Sequence, residues 1–241
     1  MRKLFLFIVC FILFGVGIKA QRFPQAVLPG DYPDPSILRD GKDYYMTHSP
    51  FYYAPGFLIW HSTDLMRWEP VCRALPEYEG SAMAPDLLKY QGRYYIYYPT
   101  STGENYVIYA DDIRGPWSRP VKLDVRGIDP GHVVGEDGKR YLFTNNGWIT
   151  PLSDDGLKVT GKSRKVYDGW KYPANWVTEG KDMYLESPKL LYKDGYYYMM
   201  SAEGGTAGPA TSTCVWWHVP NRCSVRGRTH LITHCTYLQC Q

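Results

Sequence analysis

Asp34-Pro35-Ser36-Ile37-Leu38-Arg39-Asp40-Gly41-Lys42-Asp43-Tyr44-Tyr45-Met46 holds a short apolar run, a glycine turn and an aromatic run. Two strand-forming runs around such a turn predict a β-hairpin. The phrase returns three times. Pro85-Asp86-Leu87-Leu88 leads to Gly92-Arg93-Tyr94-Tyr95-Ile96. Asp129-Pro130-Gly131-His132-Val133 leads to Gly138-Lys139-Arg140-Tyr141-Leu142. Glu186-Ser187-Pro188-Lys189-Leu190 leads to Gly195-Tyr196-Tyr197-Tyr198-Met199. The period is about 50 residues, that of propeller blades. Radial repetition brings the same end of each innermost strand to one axis. Each copy opens with an acid, so the four acids are expected at one pocket. Convergent carboxylates are the equipment of acid–base chemistry.

Composition agrees with an all-β chain. Twenty-two Tyr and eight Trp suit pleated sheets, where aromatics pack well. Aromatic faces also stack on sugar rings, although the plain reading of any single Tyr is cross-strand packing. Arg2 and Lys3 precede an apolar run from Leu4 to Ile18, and Ala20 is a small residue before a cleavage site. This predicts a secretory signal peptide over 1–20 and a secreted or periplasmic protein. The run is short for a spanning helix, so no stable membrane insertion is expected after cleavage.

The net charge of +3 misleads. Residues 1–20 hold three cations and residues 213–241 three more, with no acid in either. The remaining body has 21 basic against 24 acidic residues, and nothing in it suggests nucleic acid. Cys72 is the body's one cysteine, so its fold does not depend on disulfides.

From Thr213 the composition changes. Cys214, Cys223, Cys235 and Cys240 appear with His218, His230 and His234, and without any Asp or Glu. A disulfide knot and a metal site are two readings, but the usual paired-cysteine spacings are absent. The third reading is translation out of frame. With each codon begun one base earlier, synonymous codons exist that turn Thr213 through His234 into HMCVVARSKSVFGPWENSPYNPL. That string matches Val107-Ile108-Tyr109-Ala110-Asp111-Asp112-Ile113-Arg114-Gly115-Pro116-Trp117-Ser118 and ends its hairpin on the same G-P-W. It also supplies the missing second hairpin of the fourth repeat. The expected organisation is therefore a signal peptide (1–20), a partial propeller (21–212) and an out-of-frame tail (213–241).

The repeat set resembles glycoside hydrolase family 43. The carrying residues are Gly30-Asp31-Tyr32-Pro33-Asp34-Pro35-Ser36, Met83-Ala84-Pro85-Asp86, Ile128-Asp129-Pro130-Gly131, Glu186-Ser187-Pro188 and Ser201-Ala202-Glu203-Gly204-Gly205-Thr206. Phe51-Tyr52-Tyr53-Ala54-Pro55-Gly56 looks like the first blade of its β-xylosidase and arabinofuranosidase members. The resemblance implies a five-bladed β-propeller, of which this chain holds three blades and the first hairpin of a fourth. It implies inverting hydrolysis of pentosides in plant cell-wall polysaccharides such as xylan and arabinan. Carried over by position, Asp34 is the general base and Glu186 the general acid. Asp129 is the third carboxylate, which orients the acid and tunes its pKa. Asp86, Phe51, Met83 and Ile128 are implied substrate contacts, with Met83 and Ser187 standing where many members have Trp and Gly. No cofactor is implied for catalysis and no metal-ligand cluster is visible. A structural calcium belongs to the intact family fold.

Each acid also has a plainer role, because Asp before Pro caps turns. His48 and His132 are read as packing or rim residues. Two function classes stay open: an exo-acting pentosidase, and a truncated, non-catalytic or sugar-binding remnant. Activity on aryl pentosides separates them.

Overall fold

In the computed structural model, residues 26–78, 80–168, 185–193, 196–203 and 214–218 are described. The signal peptide expected over 1–20, Thr206 and the tail beyond 218 lie outside them. Met1–Gly30 is a unit of its own, of which the described stretch is bent and largely exposed.

The described residues form no α-helix, only strands and one short 3-10 turn. Sheet 1 is β1 (Ser36–Asp40), β2 (Asp43–Thr47), β3 (Gly56–Ser62) and β4 (Glu69–Leu75). Sheet 2 is β5 (Asp86–Tyr90), β6 (Arg93–Pro99), β7 (Glu104–Ala110) and β8 (Val121–Arg126). Sheet 3 is β9 (Gly131–Val134), β10 (Arg140–Thr144), β11 (Trp148–Pro151) and β12 (Arg164–Lys165). Sheet 4 is β13 (Leu185–Lys193), β14 (Tyr196–Glu203) and β15 (Cys214–His218). Each sheet is an antiparallel meander in chain order.

The four predicted hairpins are the first two strands of each sheet. Tight pairs such as Asp40↔Asp43 and Tyr90↔Arg93 close them. Their turns need a left-handed residue, and Gly92 supplies one at φ +85°.

Burial follows position. β8 alternates buried and exposed residues, as an outer strand with one wet face should. The Tyr95-Ile96-Tyr97-Tyr98 run of β6 is buried throughout, because sheet 2 is covered on both faces. One core lies between sheets 1 and 2, around Phe57, Ile59, Ile96 and Ile108. A second lies between sheets 2 and 3, around Tyr97, Val107, Leu123 and Leu142. A third joins sheets 3 and 4 through Val133, Phe143, Tyr197 and Met199. The sheets therefore pack face to face in sequence. Their first strands lie side by side, β1 against β5, β5 against β9 and β9 against β13.

Polar links cross the same interfaces. Between sheets 1 and 2, Asp40 Oδ2 accepts from Lys89 Nζ at 2.7 Å and from Tyr94 OH at 2.6 Å. Between sheets 2 and 3, Arg140 is 1% exposed. Its guanidinium donates to Tyr97 OH at 3.0 Å and to His132 Nε2 at 2.9 Å. The faces of Tyr90 and Tyr95 flank it at 4.5 and 4.4 Å, a cation–π sandwich. Burial, then the Arg140 charge, pushes the His132 imidazole down to about 3. It is thus a neutral acceptor, and the packing role expected for His132 is the one it has.

One expectation needs correction. The fourth sheet has a third strand, and that strand comes from the tail. Residues 214–218 pair with β14 from Glu203↔Cys214 to Met199↔His218. The edge of a strand presents unpaired N–H and C=O groups, and Cys-Val-Trp-Trp-His is rich in strand formers. The sheet therefore does not stop at 212.

Candidate active site

Four residues that precede prolines are strained in the same way. Asp34 (φ +53°), Ala84 (φ +39°), Asp129 (φ +56°) and Ser187 (φ +50°) adopt left-handed backbone immediately before Pro35, Pro85, Pro130 and Pro188. A non-glycine residue there costs about 1–3 kcal/mol and persists only where its surroundings enforce it. The repetition identifies the structurally equivalent point of the four sheets. It also shows that the four acids do not share a register. Asp34 and Asp129 stand at that point, Glu186 one residue before it and Asp86 two residues after it.

Asp34, Asp129 and Ser187 line one cavity of about 230 Å³ with Ala84, Pro85 and Lys189. Glu186 stands beside it, where its carboxyl feels the charges of Asp129 and Asp34. Burial comes first and those two charges next, and all three push Glu186 above the ordinary carboxylate range. A β-bulge between Glu186 and Lys189 breaks the β13–β14 register at this point, a device that re-aims side chains.

Asp129 is also pushed up, chiefly by burial. The N–H of Ser187, donating to Asp129 Oδ2 at 3.1 Å, pulls it back down. The Asp34 charge raises it, and the Lys189 charge lowers it. Gly131 lets this contact form, because a Cβ there would collide with the Pro188 carbonyl oxygen.

Asp34 is held by Ser49, whose hydroxyl donates to Asp34 Oδ2 in a short hydrogen bond. Ser49 Oγ in turn accepts from the Ala84 N–H at 2.6 Å. Ser49 is 3% exposed and was not singled out from sequence. A serine after a strand carries no signal of its own, and only its place beside Asp34 gives it meaning.

Asp86 lies beneath the cavity and does not line it. Its Oδ2 accepts from the His132 N–H at 2.8 Å, and its Oδ1 accepts from Lys189 Nζ at 2.9 Å. Each oxygen therefore has one scaffold donor. Phe51 lines a separate cavity of about 310 Å³ with His48, Tyr53 and Arg73. The N–H of Met83 donates to Pro99 O at 3.0 Å, and that of Ile128 to Asn145 Oδ1 at 3.0 Å. Neither side chain lines the carboxylate cavity. His48 is buried against Tyr32, with ring centroids 4.8 Å apart. Among the described residues no group of three or more His, Cys, Asp or Glu is placed to hold a metal ion.

The family's sequence profile, Glycosyl hydrolases family 43, matches residues 23–229. The chain belongs to this family. It is 34% identical over 207 residues to a xylosidase/arabinosidase of Butyrivibrio fibrisolvens, which covers 75% of this chain and 38% of that protein. It is 35% identical over 225 residues to a xylan 1,3-beta-xylosidase of a Vibrio species, covering 80% and 40%. The crystal structure of the GH43 BlXynB protein from Bacillus licheniformis superposes with a TM-score of 0.72 at 31% identity, over 86% of this chain and 42% of that one. The chain thus spans about two fifths of the length of the curated relatives it matches.

Proposed function

We propose that this chain carries the carboxylate core of an inverting, exo-acting pentosidase, a β-xylosidase or α-L-arabinofuranosidase of plant cell-wall polysaccharide. The observation that carries the reading is the convergence of Asp34, Asp129 and Glu186 at one small cavity, with Glu186 pushed upward. About 230 Å³ suits one terminal sugar, which favours cleavage from chain ends. The sheets are read as consecutive blades of a five-bladed propeller, exported by the N-terminal signal and incomplete here. The tail from 213 is read as out of frame.

The roles follow from the groups. Asp34, fixed by Ser49, takes a proton from water as that water attacks the anomeric carbon. Glu186, whose carboxyl is pushed above the ordinary carboxylate range by burial and its neighbours' charges, gives its proton to the departing glycosidic oxygen. Asp129 holds the Ser187 N–H and adds the nearby charge that raises Glu186. Inversion requires the base and acid carboxyls about 6.5–9.5 Å apart, leaving room for the water. No step is routed through the calcium that the resemblance implies for the intact fold; among the described residues, Asp86 Oδ1 and the Pro130 carbonyl accept from Lys189.

The test separates the roles in the protein with its frame restored by one nucleotide near the Ser212 codon. Glu186→Gln should lower kcat by about 10²–10⁴-fold on substrates with basic leaving groups and spare activated aryl pentosides. Asp34→Asn should suppress both. Equal losses on the two substrates for Glu186→Gln would remove it as the acid.

A further inference from the structure

Lys189 has no role in the reading above, yet it sits where three first strands meet. From β13 its ammonium donates to Asp86 Oδ1 on β5 at 2.9 Å and to the Pro130 carbonyl ahead of β9 at 2.9 Å. It reaches the Pro85 carbonyl at 3.4 Å. Pro85 and Pro130 directly follow Ala84 and Asp129, two of the left-handed residues, so Lys189 grips two of the strained turns. An ammonium carries three protons and has no preferred plane, so it serves three oxygens on different strands, as a planar guanidinium does less readily. Two carbonyls and a carboxylate are also the donors that a hard cation takes. Lys189 is also among the residues that line the carboxylate cavity.

We propose that Lys189 is the positioning residue of the carboxylate site: its ammonium ties sheets 2, 3 and 4 at the axis and holds the Asp129 turn, with its charge, against Glu186. Among the described residues, the charged groups coupled to Asp129 are Asp34 from the turn ahead of β1, and Glu186 and Lys189 from β13. Lys189 is the cation among these, so it offsets the three acids. Asp86 is its anchor, and this accounts for an acid that stands two residues past the left-handed position and does not line the cavity.

The proposal deepens the pentosidase reading through its activity arm, whereas its geometric arm stands apart from turnover. In the full chain, carboxyl NMR follows the titration of Asp129 in the wild type, Lys189→Met and Lys189→Arg. Removing the charge should move the Asp129 midpoint upward in Lys189→Met, and Lys189→Arg should restore most of the shift. An unchanged midpoint in folded Lys189→Met would overturn the proposal. Should Lys189→Met not fold, ammonium NMR of the wild type decides. A Lys189 resonance protected from solvent exchange, which moves as Asp86 titrates, supports the clamp; free exchange overturns it. In the frame-restored protein, Lys189→Met should lower kcat on an aryl pentoside about 10- to 100-fold through misplacement of the carboxyls, with Lys189→Arg recovering part. Absence of turnover in the frame-restored wild type counts against the pentosidase reading, and the NMR arm still decides on Lys189.

Discussion

Asp34 and Asp129 stand in a backbone conformation that non-glycine residues rarely adopt. Each lies left-handed before a proline, at φ +53° and +56°. Strain of this kind collects where the surroundings over-determine a residue, and here the enforcing contacts are visible. Ser49 holds the Asp34 carboxylate, and the Ser187 N–H with the Lys189 grip on Pro130 holds Asp129. The raised carboxyls also set a pH dependence. A folded-state pKa above the unfolded one means that the fold binds more protons in that window, so stability falls as pH rises through it. Activity should follow the same groups, which titrate together. In the proposed roles the acid must be protonated, so the basic limb of kcat/KM should report Glu186. Asp129 raises Glu186, and Asp129→Asn should therefore move that limb to lower pH in the frame-restored protein. An unmoved limb would separate Asp129 from the tuning of the acid.

At the scale of elements, β15 sharpens the reading of the tail. Tyr90↔Arg93 closes the hairpin of sheet 2 and Lys193↔Tyr196 that of sheet 4, so Met199 stands where Ile96 does. Ile96 pairs with Ile108, and Met199 with His218. Position 218 therefore takes the place of Ile108. Gly115-Pro116-Trp117 begins seven positions after Ile108, and in the alternative frame G-P-W begins seven positions after 218. Backbone register and hidden sequence thus agree without a gap, which supports a frame change close to Ser212. DNA sequencing across the Ser212 codon and downstream should find the other frame open into further strand–turn repeats. Stop codons there would leave the tail as a genuine cysteine-rich extension. The hairpins themselves were legible, because period-2 aromatic runs around glycines are local signals. The third strand at 214–218 was not, because an open edge at β14 recruits whatever strand formers follow it. Nor was the role of Asp86 legible. Its sequence context matches that of the other acids, and only the approach of Lys189 from another sheet shows it to be an anchor.

At the scale of the molecule, one arrangement explains both packing and site. Sheets stack in chain order, each interface has its own apolar core, and first strands run side by side at the inner edge. The repeats were enough to predict that convergence, since acids ahead of innermost strands must approach one another. They did not predict the buried polar links, Arg140 between two tyrosine faces above all. Those depend on pairs far apart in the chain, and no local pattern announces them. In the proposed reading, Asp34, Asp129 and Glu186 make an inverting site. The most direct measurement is proton NMR of the first sugar released from 4-nitrophenyl β-D-xylopyranoside by the frame-restored protein, recorded before mutarotation. An inverting site should release α-xylose as the initial product, abolished in Asp34→Asn; initial release of β-xylose, or undiminished release by Asp34→Asn, would exclude it.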